Sequence, residues 1–182
     1  MKTEKQKVET QKKTSGNGEN PMERVIMEKV VLSVGGIADN LEKGFKLLKM
    51  LTGRNPSKMM SRKRIPALGV RPGLEIGAVV TVRKDLHEFL RKMLTTVDNK
   101  LRRKQISENS FSFGVKEYIE IPGFEYQRDI GIRGLDVTVT FKRAGKRIKL
   151  KKIKTGRVPK RQNVSPEEII KYMEEHFKTK FV

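Results

Sequence analysis

The sequence predicts an α+β fold, a largely antiparallel sheet with helices packed on one side, and three observations carry that expectation. Segments rich in β-branched residues, RVIMEKVVLSV at 24–34 and LDVTVTF at 135–141, read as strands. Apolar residues recur at helical spacing in three other stretches. The order is strand, helix, strand, helix, two or three strands and a final helix, without the regular alternation of a doubly wound parallel sheet.

Residues 1–20 are nearly free of apolar groups and end in SGNGEN, a composition that buries too little surface to offset the entropy of ordering. They are expected to form a flexible polar tail, with 21–182 as a single domain. The strand at 24–34 closes on Gly35 and Gly36. Asp39 and Glu42 then stand in a capping-box-like arrangement, and Leu41, Phe45, Leu48 and Leu51 make one helix face that Gly53 ends at C′. Pro56, Pro66 and Pro72 disfavour a continuous helix or a central strand over 54–75, which therefore reads as a long excursion. IGAVVTVR (76–83) is a strand. Leu86, Phe89, Leu90, Met93, Leu94, Val97 and Leu101 form one stripe of a helix from near Asp85, expected to be the longest in the chain.

FSFGVKEYIEI (111–121) reads as a strand ended by Pro122 and Gly123. In LDVTVTF strict alternation puts Leu135, Val137, Val139 and Phe141 on one face and Asp136, Thr138 and Thr140 on the other. After a turn at Ala144–Gly145, Ile148, Leu150 and Ile153 are expected to anchor a strand or an irregular arm. Ser165, Pro166 and Glu168 supply N-cap, N1 and N3 of a last helix, with Ile169, Ile170, Met173 and Phe177 as its apolar side.

Lysine and arginine number 41 against 21 acids, a net charge of +20 with a pI near 10.3. Self-repulsion on that scale calls for a polyanionic partner: nucleic acid first, an anionic membrane surface second, and a merely well-solvated protein third. With no cysteine, disulfides, thiolate metal sites and a cysteine nucleophile are excluded. No apolar run approaches the ~20 residues that span a bilayer. MKTEKQKVETQKK lacks the apolar core of a secretory signal, so a cytoplasmic protein is expected.

Catalytic patterns are weak. His87 and His176 lack any metal-binding spacing and read as surface or half-buried helix residues. Glu117 with Glu120, or Glu167 with Glu168, would be the acids of a metal-dependent enzyme acting on nucleic acid. The second pair is explained by the helix dipole. VGGIADN lacks the spacing of a phosphate-binding loop. Phe111, Phe113, Tyr118, Phe124 and Tyr126 are better explained as core than as a base-stacking platform. No cofactor and no metal are indicated.

The basic segments are the strongest signal. Arg54, Lys58, Arg62, Lys63, Arg64 and Arg71 fall in a stretch with no acid from 54 to 74. A second run places 11 cations between Lys142 and Arg161, with no acid from 137 to 166. Single-sign charge on a loop stiffened by proline suits phosphate contact.

MEKVVLSVGG (27–36), LTGRNP (51–56), GVRPGLEIGAVVTVR (69–83), FGVKEYI (113–119), IPGFEY (121–126) and IGIRGLDVTV (130–139) occur in that order. Together they resemble the universal large-subunit ribosomal protein five family, in its archaeal and eukaryotic branch, over roughly residues 20–175. The resemblance implies an α+β protein that binds 5S rRNA and helps attach it in the central protuberance. It also implies contacts with large-subunit rRNA, peptidyl-site tRNA, the small-subunit head protein across the intersubunit bridge, and other central-protuberance ribosomal proteins. No reaction is catalysed. A nucleic-acid enzyme and a free RNA chaperone are the rival readings.

By the same resemblance the rRNA-binding positions are Ser33, Arg54, Asn55, Lys58, Arg62, Lys63, Thr81 and Arg83. Arg64, Arg71, Pro72 and Gly73 belong to a tRNA-facing loop. The basic arm comprises Lys146, Arg147, Lys149, Lys151, Lys152, Lys154 and Arg157, with RNA or protein as its partner. Ser33 stands where the family usually has asparagine and Arg54 where it has glutamine, so an amide's paired donor and acceptor give way to one hydroxyl and to donors alone. Ala144 replaces a common proline.

Overall fold

The computed structural model describes residues 20–182. The first strand, β1 (Val25–Gly35), buries Met27, Val30, Leu32 and Val34. The phase change after Met27 is a bulge, where the register with the neighbouring strand shifts between Met27 and Lys29. Helix α1 (Asp39–Thr52) lays Leu41, Leu47, Leu48 and Leu51 on the sheet and stops at Gly53 as predicted. The expected capping box is corrected: Asp39 is the first helical residue, and Ala38 precedes it with no side-chain cap among the described residues. Asp39 and Glu42 instead complement the helix dipole from the first turn. Gly44, mid-helix, is buried because a Cβ there would stand 2.7 Å from Val34 Cγ1 on β1.

The excursion contains an edge strand, β2 (Ser57–Met60), paired antiparallel with β3 (Glu75–Val82). Pro56 lies just before this strand, a position that needs no ladder donor. Helix α2 (Leu86–Thr95) ends well short of the predicted Leu101. Thr95 and Thr96 turn their hydroxyls back onto the carbonyls of Arg91 and Lys92 (2.9 and 3.3 Å), and Asp98 and Asn99 both take left-handed φ. With 10 residues it is shorter than α1 (14) rather than the longest helix. Leu101 is buried instead on β4 (Lys100–Leu101).

After β5 (Ile106–Ser107), β6 (Ser110–Val115) is shorter than the predicted 111–121. Tyr118 leaves the ladder for a single 3-10 turn, its N–H donating to the Arg133 carbonyl (3.0 Å) and its buried hydroxyl accepting from the Gln127 amide (2.8 Å). β7 (Leu135–Arg143) alternates as read, with Leu135, Val137, Val139 and Phe141 all buried.

The basic segment forms one helical turn, α3 (Arg147–Leu150), and then irregular chain. Ile148, Leu150 and Ile153 are 49, 67 and 80% exposed and do not anchor it, because no sheet partner extends past Arg143. Helix α4 (Pro166–Phe177) carries the predicted cap, Ser165 and Glu168 exchanging hydrogen bonds, and buries Ile169, Met173 and Phe177. β8 (Lys180–Phe181) pairs parallel with β4.

The main sheet runs β2-β3-β1-β7-β6-β5 with every pair antiparallel. One continuous core joins the buried strand residues to α1, α2 and α4, so the helices cover one face and leave the other open. The expected tail falls, but for Asn20, outside the described residues.

Candidate nucleic-acid interface

Directly paired residues of antiparallel strands point to the same side of a sheet, so register reads out the open face. Ser33 on β1 stands opposite Val79 on β3 and Asp136 on β7. Two residues away, Val31 faces Thr81 on one side and Thr138 on the other, and Thr138 in turn faces Ser112 on β6. Lys29 and Ser110 flank Thr140 in the next row. None of these residues is buried. The face is a lawn of small hydroxyls with few charges, held on the most rigid part of the molecule.

Arg54 joins it from the loop after α1. Its guanidinium donates to the Thr81 carbonyl (3.2 Å), and its amide donates to the Thr52 hydroxyl (3.4 Å). Ser33, Arg54 and Thr81 are thereby gathered, with exposed Asn55 beside Arg54 and exposed Arg83 just past the end of β3. Lys58 is not part of this group. It pairs with Ala78, a core-side position, and reaches Glu75 (2.7 Å) on the side that carries the helices.

The segment that carries Arg62, Lys63, Arg64 and Arg71 is a tied loop. Ser61 and Leu74 close its neck, with the Gly73 amide donating to Ser61 O (2.9 Å). Ile65 and Val70 bridge higher up around a 3-10 turn at Pro66–Leu68. Buried Ser61 donates its hydroxyl to the Lys63 carbonyl (2.6 Å). All four cations and Pro72 stay exposed on this frame, and Gly73 supplies the positive φ (84°) at its base.

The basic arm lies at the other end. β1 pairs its last residues with β3 near the loop and its first, Val25, with Arg143. An 11-residue strand spans roughly 36 Å, so loop and arm flank the open face from opposite ends. The acids missing from the arm's own sequence come from elsewhere. Lys146 binds Glu28 (2.5 Å), Arg143 binds both Glu168 oxygens (2.5 and 2.7 Å), and Gln162 donates to Ala144 O (2.7 Å). Lys146 is thus partly neutralised, while Arg147, Lys149, Lys151, Lys152, Lys154 and Arg157 remain exposed.

These tethers make the arm's attachment sensitive to acid. Burial pushes the Glu28 and Glu168 carboxyls up, but the hydrogen bonds and charges of Lys146 and Arg143 hold both below their ordinary value of 4.5. A carboxylate with a depressed folded pKa contributes stability above its unfolded pKa and loses it as pH falls through the folded value. In urea unfolding, the stability gap between the parent and a Glu28→Gln/Glu168→Gln variant is expected to narrow steadily below about pH 4.5. A gap that stays constant down to pH 3 would contradict the assignment.

Among the described residues no group of three or more histidines and acids could hold a metal ion. Glu117 and Glu120 lie at either end of the Tyr118–Glu120 turn rather than in a strand. His87 and His176 stack with ring centroids 6.2 Å apart, and His87 also stacks on Phe177 at 5.6 Å. Phe111, Phe113 and Tyr118 are core, whereas Tyr126 is exposed. The residues missed by sequence reasoning are Lys29, Ser112, Asp136, Thr138 and Thr140. Alternation had already separated Thr138 and Thr140 from the core, but nothing local placed them beside Ser33.

Comparison with known proteins decides what this sheet belongs to. The family model for the C-terminus of ribosomal protein uL5 matches residues 75–170. Large ribosomal subunit protein uL5 of Nanoarchaeum equitans is 39% identical over 161 residues, 86% of this chain and 95% of that protein. The chain belongs to the uL5 family. The uL5 proteins of Archaeoglobus fulgidus (38% identical, 93% of this chain and 96% of that protein) and Sulfolobus acidocaldarius (39%, 87% and 92%) agree with the archaeal character of the motifs. uL5 is a family of ribosomal structural proteins, not enzymes. Among the described residues no helix is long and apolar enough to cross a membrane.

Proposed function

We propose that the chain binds 5S rRNA through the open sheet face and helps attach it to the large subunit in the central protuberance, in the cytoplasm. The observation that carries this reading is the pairing of an uncovered, hydroxyl-rich sheet face with cations at both ends. Folded RNA is recognised by shape, phosphates and 2′-hydroxyls. Thr81, Ser33 and backbone groups set the register, and Arg54, Asn55, Arg62, Lys63 and Arg83 contact phosphates. Residues 21–182 act as one RNA-binding domain, with residues 1–20 as an appended tail.

The tied loop bearing Arg64, Arg71, Pro72 and Gly73 extends toward peptidyl-site tRNA, and the far side of the protein meets large-subunit rRNA, the small-subunit head and neighbouring ribosomal proteins. Support for the loop's role is its frame: exposed cations on a tip that hydrogen bonds hold in one shape. The test is a salt series of binding to a 5S RNA transcript against an unrelated duplex RNA. Affinity is expected to fall steeply and linearly in log–log form, with a clear preference for 5S RNA. A flat response, or equal affinity for the duplex, would sink the proposal.

A further inference from the structure

We infer that Asp136 is a specificity-determining residue, its carboxylate accepting hydrogen bonds from neutral donors of the bound RNA. The inference rests on RNA seating on the open sheet face.

An acid in the middle of that face is out of place on electrostatic grounds. The protein carries +20 overall, and a carboxylate turned toward a polyanion repels phosphates. Asp136 is nonetheless exposed at mid-sheet, directly across from Ser33. Among the described residues no hydrogen bond or ion pair engages it, unlike Glu28, Glu75 and Glu168. Structural work within the chain therefore does not account for it.

Its surroundings keep the carboxylate open. Gly114 is its partner on β6, and a Cβ there would stand 3.4 Å from Asp136 Oδ1. On the other side Ser33 presents only a short hydroxyl. An ionised carboxylate is an acceptor alone, with room for two donors side by side. RNA offers such donors in two places, the ribose 2′-hydroxyl and the Watson–Crick edge of an unpaired guanine, and phosphates offer none. Asp136 then reads sugar or base where Arg54 and Arg83 hold backbone.

The test is titration of an archaeal 5S RNA transcript with the full chain and with Asp136→Ala. If the residue is merely solvated, removing its charge tightens binding. The inference requires the opposite: about 10-fold weaker binding, with an unchanged log–log salt slope because no phosphate contact is lost. Gly114→Val, which buries the carboxylate behind a side chain and favours a strand, is expected to show the same loss. Replacing protected riboses by deoxyriboses, or protected guanosines by inosines, identifies the donor as the substitution that closes the gap between parent and Asp136→Ala. Equal or tighter binding by Asp136→Ala, or a gap that survives both substitutions, overturns the inference. Failure of the parent itself to prefer 5S RNA would instead defeat the underlying reading of the face.

Discussion

Replacing Arg54, Arg62, Lys63 and Arg83 together by glutamine is expected to weaken binding to 5S RNA about a thousandfold near physiological salt. The four side chains are exposed, and they lie on both sides of the hydroxyl-bearing part of β1 and β3. At about 1 kcal/mol for each hydrogen-bonded phosphate contact the loss sums to about 4 kcal/mol, and each 1.4 kcal/mol is tenfold. The log–log salt slope should flatten by about 3 to 4, since each neutralised phosphate contributes roughly 0.7 to 0.9. Apart from the Arg54 bond to the Thr81 carbonyl, none of the four makes a side-chain tether among the described residues, so the unfolding midpoint should barely move. An unchanged slope with lost affinity would mean that these cations do not sit on phosphates. Arg54 is the one to examine singly, because its bond to Thr81 pre-orders the guanidinium beside the face.

Gly134→Ala is expected to destabilise the protein by about 3 kcal/mol, the upper part of the range for overpacking a fitted site. A Cβ at this position would lie 2.7 Å from the carbonyl oxygens of both Val115 and Lys116. Those are backbone atoms at the end of β6, so no rotamer change relieves the contact. The neighbouring bond from the Tyr118 amide to the Arg133 carbonyl fixes the same crossing from the other side. For a domain of this size the midpoint should fall by roughly 6 to 12 °C. Gly35→Ala is the control, since nothing lies within 4 Å of its Cβ position, and it should change little. If Gly134→Ala is as stable as Gly35→Ala, the close crossing does not persist in solution. Where the variant folds, RNA binding should also suffer, because Gly134 leads directly into the strand that presents Asp136 and Thr138.

Local chemistry was enough for much of this molecule. The two-residue period of Leu135–Phe141 marks a half-buried strand wherever that strand sits, and the Ser165–Pro166–Glu168 cap starts its helix through contacts within one turn. Charge and motif order likewise pointed to RNA and to the uL5 family without any coordinates. Ends of elements were less legible. The stripe through Val97 and Leu101 continues the helical period past Thr95, but left-handed Asp98 and Asn99 turn Leu101 into a strand that pairs with the C-terminal β8.

The candidate interface divides the same way. Its ingredients, Ser33, Arg54 and Thr81, stand in recognisable motifs, and their assembly depends on strand pairs far apart in sequence. The β1 register with β3 and β7 sets Thr81 and Thr138 on either side of Val31, while the edge register turns Lys58 toward Glu75 and away from the open face. The arm looked wholly unpaired because its acids, Glu28 and Glu168, lie outside the acid-free run. Periodicity, caps and net charge are properties of neighbouring residues, so the sequence alone determined them. Register, face and ion pairing are set by which distant strands bury their apolar sides together, and only the tertiary structure decided those.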